Sequence, residues 1–212
     1  MTTKSPTVPK PKPRRTKSRA PALNLLERLV LVPLLRRLIR HRNLHLRTAL
    51  GAGPTTEPGS QVWVPDDAGV FRRSEATVLL GTGDELWERA THDVLRWKVK
   101  TRSGFTVPDN RIVAPGAELD ITARVAGVTI REPVMIAAVV DTPTRVGFSY
   151  CTRPGHPVSG EEAFIVHRDA ANVFFTVRSL TAPAANQPWR VLYPLLRVAQ
   201  IVARRRYLRA LR

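Results

Sequence analysis

The sequence predicts an α+β domain in which a curved antiparallel β-sheet is wrapped on a long C-terminal α-helix, with a basic helical extension at the N-terminal side. Three observations predict it. Apolar residues recur with a period of two through most of residues 118–180, in runs separated by turn signals. Residues 84–97 carry their apolar residues at helical spacing instead. The chain then closes on "QPWRVLYPLLRVAQIVARRRYLRALR", apolar in its first half and Arg-rich at its end. A curved sheet exposes one apolar face, and a long apolar helix can cover it and leave an interior space suited to a small molecule.

The elements follow in order. Residues 1–22, "MTTKSPTVPKPKPRRTKSRAPA", lack the apolar side chains needed to offset ordering entropy and read as a disordered basic Pro-rich tail. Residues 23–50 read as a basic amphipathic helical segment, split or kinked at Pro33. After Pro33, Leu34, Leu35, Leu38, Ile39 and Leu46 fall on one side, and Arg36, Arg37 and Arg40 on the other, with Arg42 spoiling the apolar side. Such a helix docks on its own domain, on a partner or on a membrane surface. Residues 51–62 read as a linker, and residues 63–212 as the globular domain. A strand over about 71–80 feeds, through "GTGDE", a helix over 84–97 built on Leu86, Trp87, Ala90, Val94 and Leu95, with Thr82 or Asp84 available to cap it. "GTGDE" lacks the third glycine and the Lys-Ser/Thr of a phosphate loop, and reads as a tight turn into the helix. "ELDITARV" alternates, with Leu119, Ile121, Ala123 and Val125 inward, and "VTIREPVMIAAVVD", "RVGFSY", "EAFIVHR" and "NVFFTVRSL" continue an antiparallel meander. Pro188 and Pro194 mark where the last helix starts or bends.

Composition narrows the function classes. Hydrophobic residues make up 43% of the 212, enough for a core. The single cysteine, Cys151, excludes an internal disulfide and a Cys-cluster zinc site and points to a reducing, cytoplasmic setting, with peripheral membrane association open. No apolar run approaches the ~18 residues of a membrane span; "LVLVPLL" at 29–35, for example, is seven residues long and contains Pro33. A signal peptide fits poorly, because the charged leader is long and Pro-rich and no small-residue cleavage site follows the apolar run. Residues 1–48 hold 13 Lys/Arg and one acid, and residues 189–212 hold seven Arg and no acid. The 14 basic and 16 acidic residues that remain leave the middle close to neutral. The basic ends, residues 1–48 and the cluster Arg204 to Arg206 with Arg209 and Arg212, are candidate contacts for an anionic membrane surface or a nucleic acid. The aromatics are scattered and do not form the aromatic-plus-basic surface of a single-strand binder.

"VLLGTGDELWERA", "VGFSYCTRPGHPVSGEEAFIV" and "RVAQIVARRRYLRAL" resemble an uncharacterised family, the domain-of-unknown-function nineteen-ninety family, over roughly residues 63–212. Cys151 and Arg153 stand where that family typically has glycine and leucine. The resemblance implies a fold similar to the START/polyketide-cyclase-like (SRPBCC) helix-grip superfamily. Helix-grip proteins mostly bind hydrophobic ligands between sheet and helix, and a minority are enzymes. A hydrophobic or amphipathic small molecule is therefore the implied partner, with no cofactor and no established reaction.

The candidate site centres on residues 150–162, "YCTRPGHPVSGEE". Pro154-Gly155 suits a type II turn, and Ser159-Gly160 suits a second bend. His156, held between Gly155 and Pro157, suits a ligand contact, a proton carrier, or a loop histidine that only satisfies backbone groups. Glu162 shares a strand face with Phe164 and points to the cavity edge, where its pKa would rise and where Arg131 could pair with it. Tyr150, His156 and Glu162 are the expected polar ligand contacts, and Phe148, Phe164 and Phe175 the expected apolar lining. The alternative is a hydrolase or cyclase with His156 and Glu162 as its acid–base pair. A nucleophilic Cys151 would need a base within reach. One histidine, two adjacent carboxylates and the distant His92 and His167 form no recognised metal spacing.

Overall fold

The computed structural model describes residues 55–64, 69–108, 112–125 and 127–212. The expected Pro-rich tail at 1–22, the helical segment at 23–50 and the first part of the linker lie outside these residues.

Seven strands form one curled antiparallel sheet: β1 (Arg72–Thr82), β2 (Phe105–Thr106), β3 (Glu118–Val125), β4 (Val128–Thr142), β5 (Arg145–Thr152), β6 (Val158–Asp169) and β7 (Asn172–Pro183). Among the described residues three helices accompany it: α1 (Asp84–Val94), α2 (Lys98–Arg102) and α3 (Trp189–Tyr207). The sheet order is β1-β7-β6-β5-β4-β3-β2, so β2 to β7 form a meander. β1 crosses to its far edge to pair with β7, from Arg72↔Thr181 to Thr82↔Asn172. This is the helix-grip arrangement.

Period-two patterning decides which side chains enter the core. Phe148, Phe164 and Phe175 from β5, β6 and β7 are completely buried and pack in a row, Phe148 edge-on to Phe164 with centroids 5.7 Å apart and Phe164 stacked on Phe175 at 6.3 Å. Trp87, Ala90 and Val94 of α1 join the same cluster, as do Tyr207, Ala210 and Leu211 at the end of the chain. Each large side chain taken from water contributes roughly 1.5–3 kcal/mol. α3 therefore grips the sheet at both ends. Leu192 and Leu196 pack with Val158, and Tyr207 packs in the main core.

Three details differ from the sequence expectation. The helix expected over 84–97 ends at Val94, because Trp97 adopts a left-handed conformation (φ 62°, ψ 15°) and starts the short α2. Neither Thr82 nor Asp84 caps α1; Gly83 occupies the cap without a side-chain bond, and its N–H donates to the Ala171 carbonyl at 3.0 Å. Ser159-Gly160 is part of β6 rather than a separate bend. Gly160 is nevertheless required there: at φ 143° a Cβ would lie 1.8 Å from the Leu180 carbonyl oxygen.

The outer face of the sheet is covered by residues 55–64, part of which was expected as a linker. Thr56 is fully buried and Trp63 nearly so. The guanidinium of Arg178, 1% exposed, donates to the carbonyls of Glu57 (2.7 Å), Ser60 (3.0 Å) and Gln61 (3.2 Å), and to Glu75 at 2.8 Å. Arg145 donates to the Pro58 carbonyl at 2.6 Å, and Thr56 donates from its backbone N–H and its hydroxyl to Glu161. Irregular backbone can lie on the sheet because charged donors take up its carbonyls. Among the described residues no helix is long and apolar enough to cross a membrane.

Candidate functional site

Between its two points of attachment α3 bridges a pocket of about 120 Å³. Its apolar wall is formed by Phe105, Val158, Leu180, Leu196, Ala199 and Ala203. Its polar end is formed by Lys100, Glu132, Tyr150, His156, Glu162 and Tyr207.

The polar end is built by register and by the break between α1 and α2. Tyr150 on β5 pairs directly with Glu162 on β6, and Glu162 pairs on its other side with Ser179 of β7. The Tyr150 hydroxyl donates to Glu162 Oε2. α2 brings in Lys100, which is 2% exposed, and its ammonium reaches Glu162 Oε2 at 3.2 Å and donates to the Tyr207 hydroxyl at 2.7 Å. Aromatic faces surround the cation, with Phe105 at 4.5 Å, Tyr207 at 4.8 Å and Tyr150 at 5.0 Å from Nζ. A buried ammonium needs this combination of counter-charge, acceptor and π-faces. Burial, and then the Glu162 charge, push both tyrosine pKa values well above the ordinary range. Burial also raises the Glu132 carboxyl, against the opposing pull of Lys100.

The "RPGHP" loop behaves as its sequence suggests up to the histidine. The His156 N–H donates to the Arg153 carbonyl at 3.0 Å and closes the turn, with Gly155 at φ 98°. His156 is 8% exposed, and its Nδ1 lies 2.8 Å from the Val158 carbonyl oxygen and 3.1 Å from the Val158 nitrogen. Its Nε2 is buried with no hydrogen-bond partner among the described residues. Burial, helped by Lys100, pulls the ring pKa down to about 3, so the imidazole is neutral at physiological pH. The ring also lines a second hollow of about 140 Å³ beside Trp189 and Asn186.

Of the residues singled out in the sequence, Tyr150, His156 and Glu162 do meet at one pocket. Phe148, Phe164 and Phe175 sit behind it in the core and are not among its lining residues. Arg131 does not pair with Glu162. It faces solvent on β4 and bonds Asp120 across the β3–β4 ladder. Lys100, Glu132 and Tyr207 were missed. "WKVKTR" carries no period that marks Lys100 as inward, because a five-residue helix is too short to show one. His92 lies beside Asp93 and His167 bonds Thr176, both away from this pocket.

Residues 57–210 match the protein family described as domain of unknown function (DUF1990). The chain belongs to that family. A UPF0548 protein of Deinococcus radiodurans is 31% identical to this DUF1990 member over 155 residues, covering 66% of this chain and 76% of that one. The hypothetical protein jhp0584 of Helicobacter pylori shares the fold, with a TM-score of 0.50 at 10% identity over 80% of this chain and 97% of that one. Major latex-like protein 151 of Panax ginseng is a looser likeness, with a TM-score of 0.38 at 14% identity over 65% and 99%. Cys151 and Arg153 have local roles. The Cys151 thiol, its pKa raised by burial, lies 3.6 Å from the Met135 carbonyl oxygen, and Arg153 pairs with Glu118 at 2.8 Å.

Proposed function

We propose that this DUF1990 domain binds a small amphipathic molecule in the pocket under α3, with its apolar body against Leu196, Ala199 and Ala203 and its polar end toward Lys100, Tyr150, Glu162 and Tyr207. The observation that carries this reading is a buried polar cluster centred on the Lys100–Glu162 pair in a hollow whose α3 wall includes Leu196, Ala199 and Ala203. Ligand sites combine an apolar wall with a few convergent polar groups in this way. The volume, about 120 Å³, suits a guest with a body on the order of one aromatic ring. Phe148, Phe164 and Phe175 serve as a rigid layer behind the polar groups. In this reading residues 1–50 are a basic segment that precedes the ligand-binding domain.

The enzyme alternative built on His156 and Glu162 has less support. An imidazole with a pKa of about 3 has no imidazolium proton to give at neutral pH, and Glu162 already bridges Lys100 and Tyr150. The test is native mass spectrometry of the chain purified from its own organism, beside an Ala203→Trp variant whose indole fills the pocket. A bound small molecule in the wild type that is absent from a folded Ala203→Trp protein supports the proposal. No adduct in the wild type, or the same adduct in both, overturns it.

A further inference from the structure

The side of α3 that faces away from the pocket has an unusual composition. Every residue of this helix that is exposed is either apolar (Val191, Pro194, Val198 and Ile201) or an arginine (Arg190, Arg197 and Arg205). At about 100° per residue these positions fall within an arc of about 120°. Val191 is 64% exposed, and Val198 and Ile201 are 52% exposed each. The arc carries no acid and no neutral polar side chain, and no acid occurs anywhere after Asp169. A helix of a globular domain ordinarily turns mixed charges and polar groups toward water. α3 instead has apolar residues on both sides: Leu192 and Leu196 pack on the sheet, while Val191, Val198 and Ile201 are exposed and belong to neither core cluster of the described residues. The arginine cluster divides accordingly. Arg204 turns inward to the hydroxyls of Ser74 and Ser179, whereas Arg205 stays on the exposed arc.

We propose that this arc of α3 docks on an anionic lipid bilayer, with Val191, Val198 and Ile201 entering the acyl boundary and Arg190, Arg197 and Arg205 held at the headgroup phosphates. Charge complementarity and apolar content together select this partner. Arginines without acids attract any polyanion, but exposed aliphatic side chains gain free energy only where water is excluded, and a bilayer offers both at one depth. A phosphate backbone would use the arginines and leave the aliphatic chains wet. The arc is independent of the pocket, so the proposal stands whether or not a ligand binds there.

The experiment uses the full chain and sedimentation with phosphatidylcholine vesicles, with and without phosphatidylserine. Binding to the anionic vesicles should fall roughly tenfold in a Val198→Asn, Ile201→Asn double variant that melts as the wild type does. The basic residues 1–48 are present in both proteins and can attract vesicles by themselves, so depth is read separately. In a Cys151→Ser background, an environment-sensitive dye on Ile201→Cys should shift to the blue on anionic vesicles. Unchanged dye emission, equal binding by the double variant, or no vesicle binding by the wild type overturns the proposal. So does retention of duplex DNA in place of vesicles, lost in Arg197→Gln, Arg205→Gln and indifferent to the double Asn change.

Discussion

His156 offers a direct measurement of how strongly the fold excludes water from the loop that opens the pocket. In the unfolded chain its ring titrates near the ordinary 6.5; in the folded protein burial and Lys100 hold it at about 3. Between those values the unfolded state binds more protons than the folded one, so stability rises with pH across the window. The contribution is complete above about pH 6.5 and is lost as the pH falls toward 3, with a slope of up to about 1.4 kcal/mol per pH unit. Taking the wild type from pH 7 to pH 4.5 should therefore remove about 3 kcal/mol through this residue alone. Carboxylates also titrate there, so the comparison is with His156→Asn, whose amide oxygen can accept from the Val158 N–H without titrating. Urea unfolding followed by tryptophan fluorescence at pH 7, 6, 5 and 4.5 gives both stabilities. The wild type's advantage over His156→Asn, whatever its value at pH 7, should shrink by about 3 kcal/mol on the way to pH 4.5. Parallel curves would mean that the ring is hydrated or protonated in the folded state, and the burial argument would fail.

The remaining predictions concern two of the buried cations, Lys100 and Arg178. Lys100→Met should cost about 3–5 kcal/mol, because it strands Glu162 and the Tyr207 hydroxyl in the pocket; adding Glu162→Gln should recover a large part of this, read as a coupling in a double-mutant cycle. Additive losses would show that the pair is not coupled. Arg178→Met should free residues 55–64 from the sheet, since one guanidinium serves the carbonyls of Glu57, Ser60 and Gln61. Limited proteolysis should then cut within 55–64 while β1–β7 persist, and an uncut segment would refute the anchoring role.

Much of this fold could be read locally. The alternation through β3 to β7 placed Ile121, Phe148, Phe164 and Phe175 inward because a strand's side chains alternate faces whatever they later touch. Pro154-Gly155 gave its turn because proline fixes φ and glycine permits a positive one. Tyr150, His156 and Glu162 could be singled out because strand register and a rigid loop put them at one rim. Arg131 went wrong as the partner of Glu162 because both charge signs are common along β3 and β4, and sequence does not say which carboxylate lies nearer.

What the sequence by itself determined is the set of elements, their order and the inward-facing apolar residues, all of which follow from periodicity and turn chemistry within a few residues. Only the tertiary structure decided which distant charges meet. Lys100 reaches Glu162 because Trp97 turns the chain between two helices, and β1 joins β7 because the meander leaves that edge open. Residues 55–64 lie on the sheet because Arg178 and Arg145 face outward beneath them. Each of these pairings joins residues dozens of positions apart, and their burial free energy exists only once the sheet has curled.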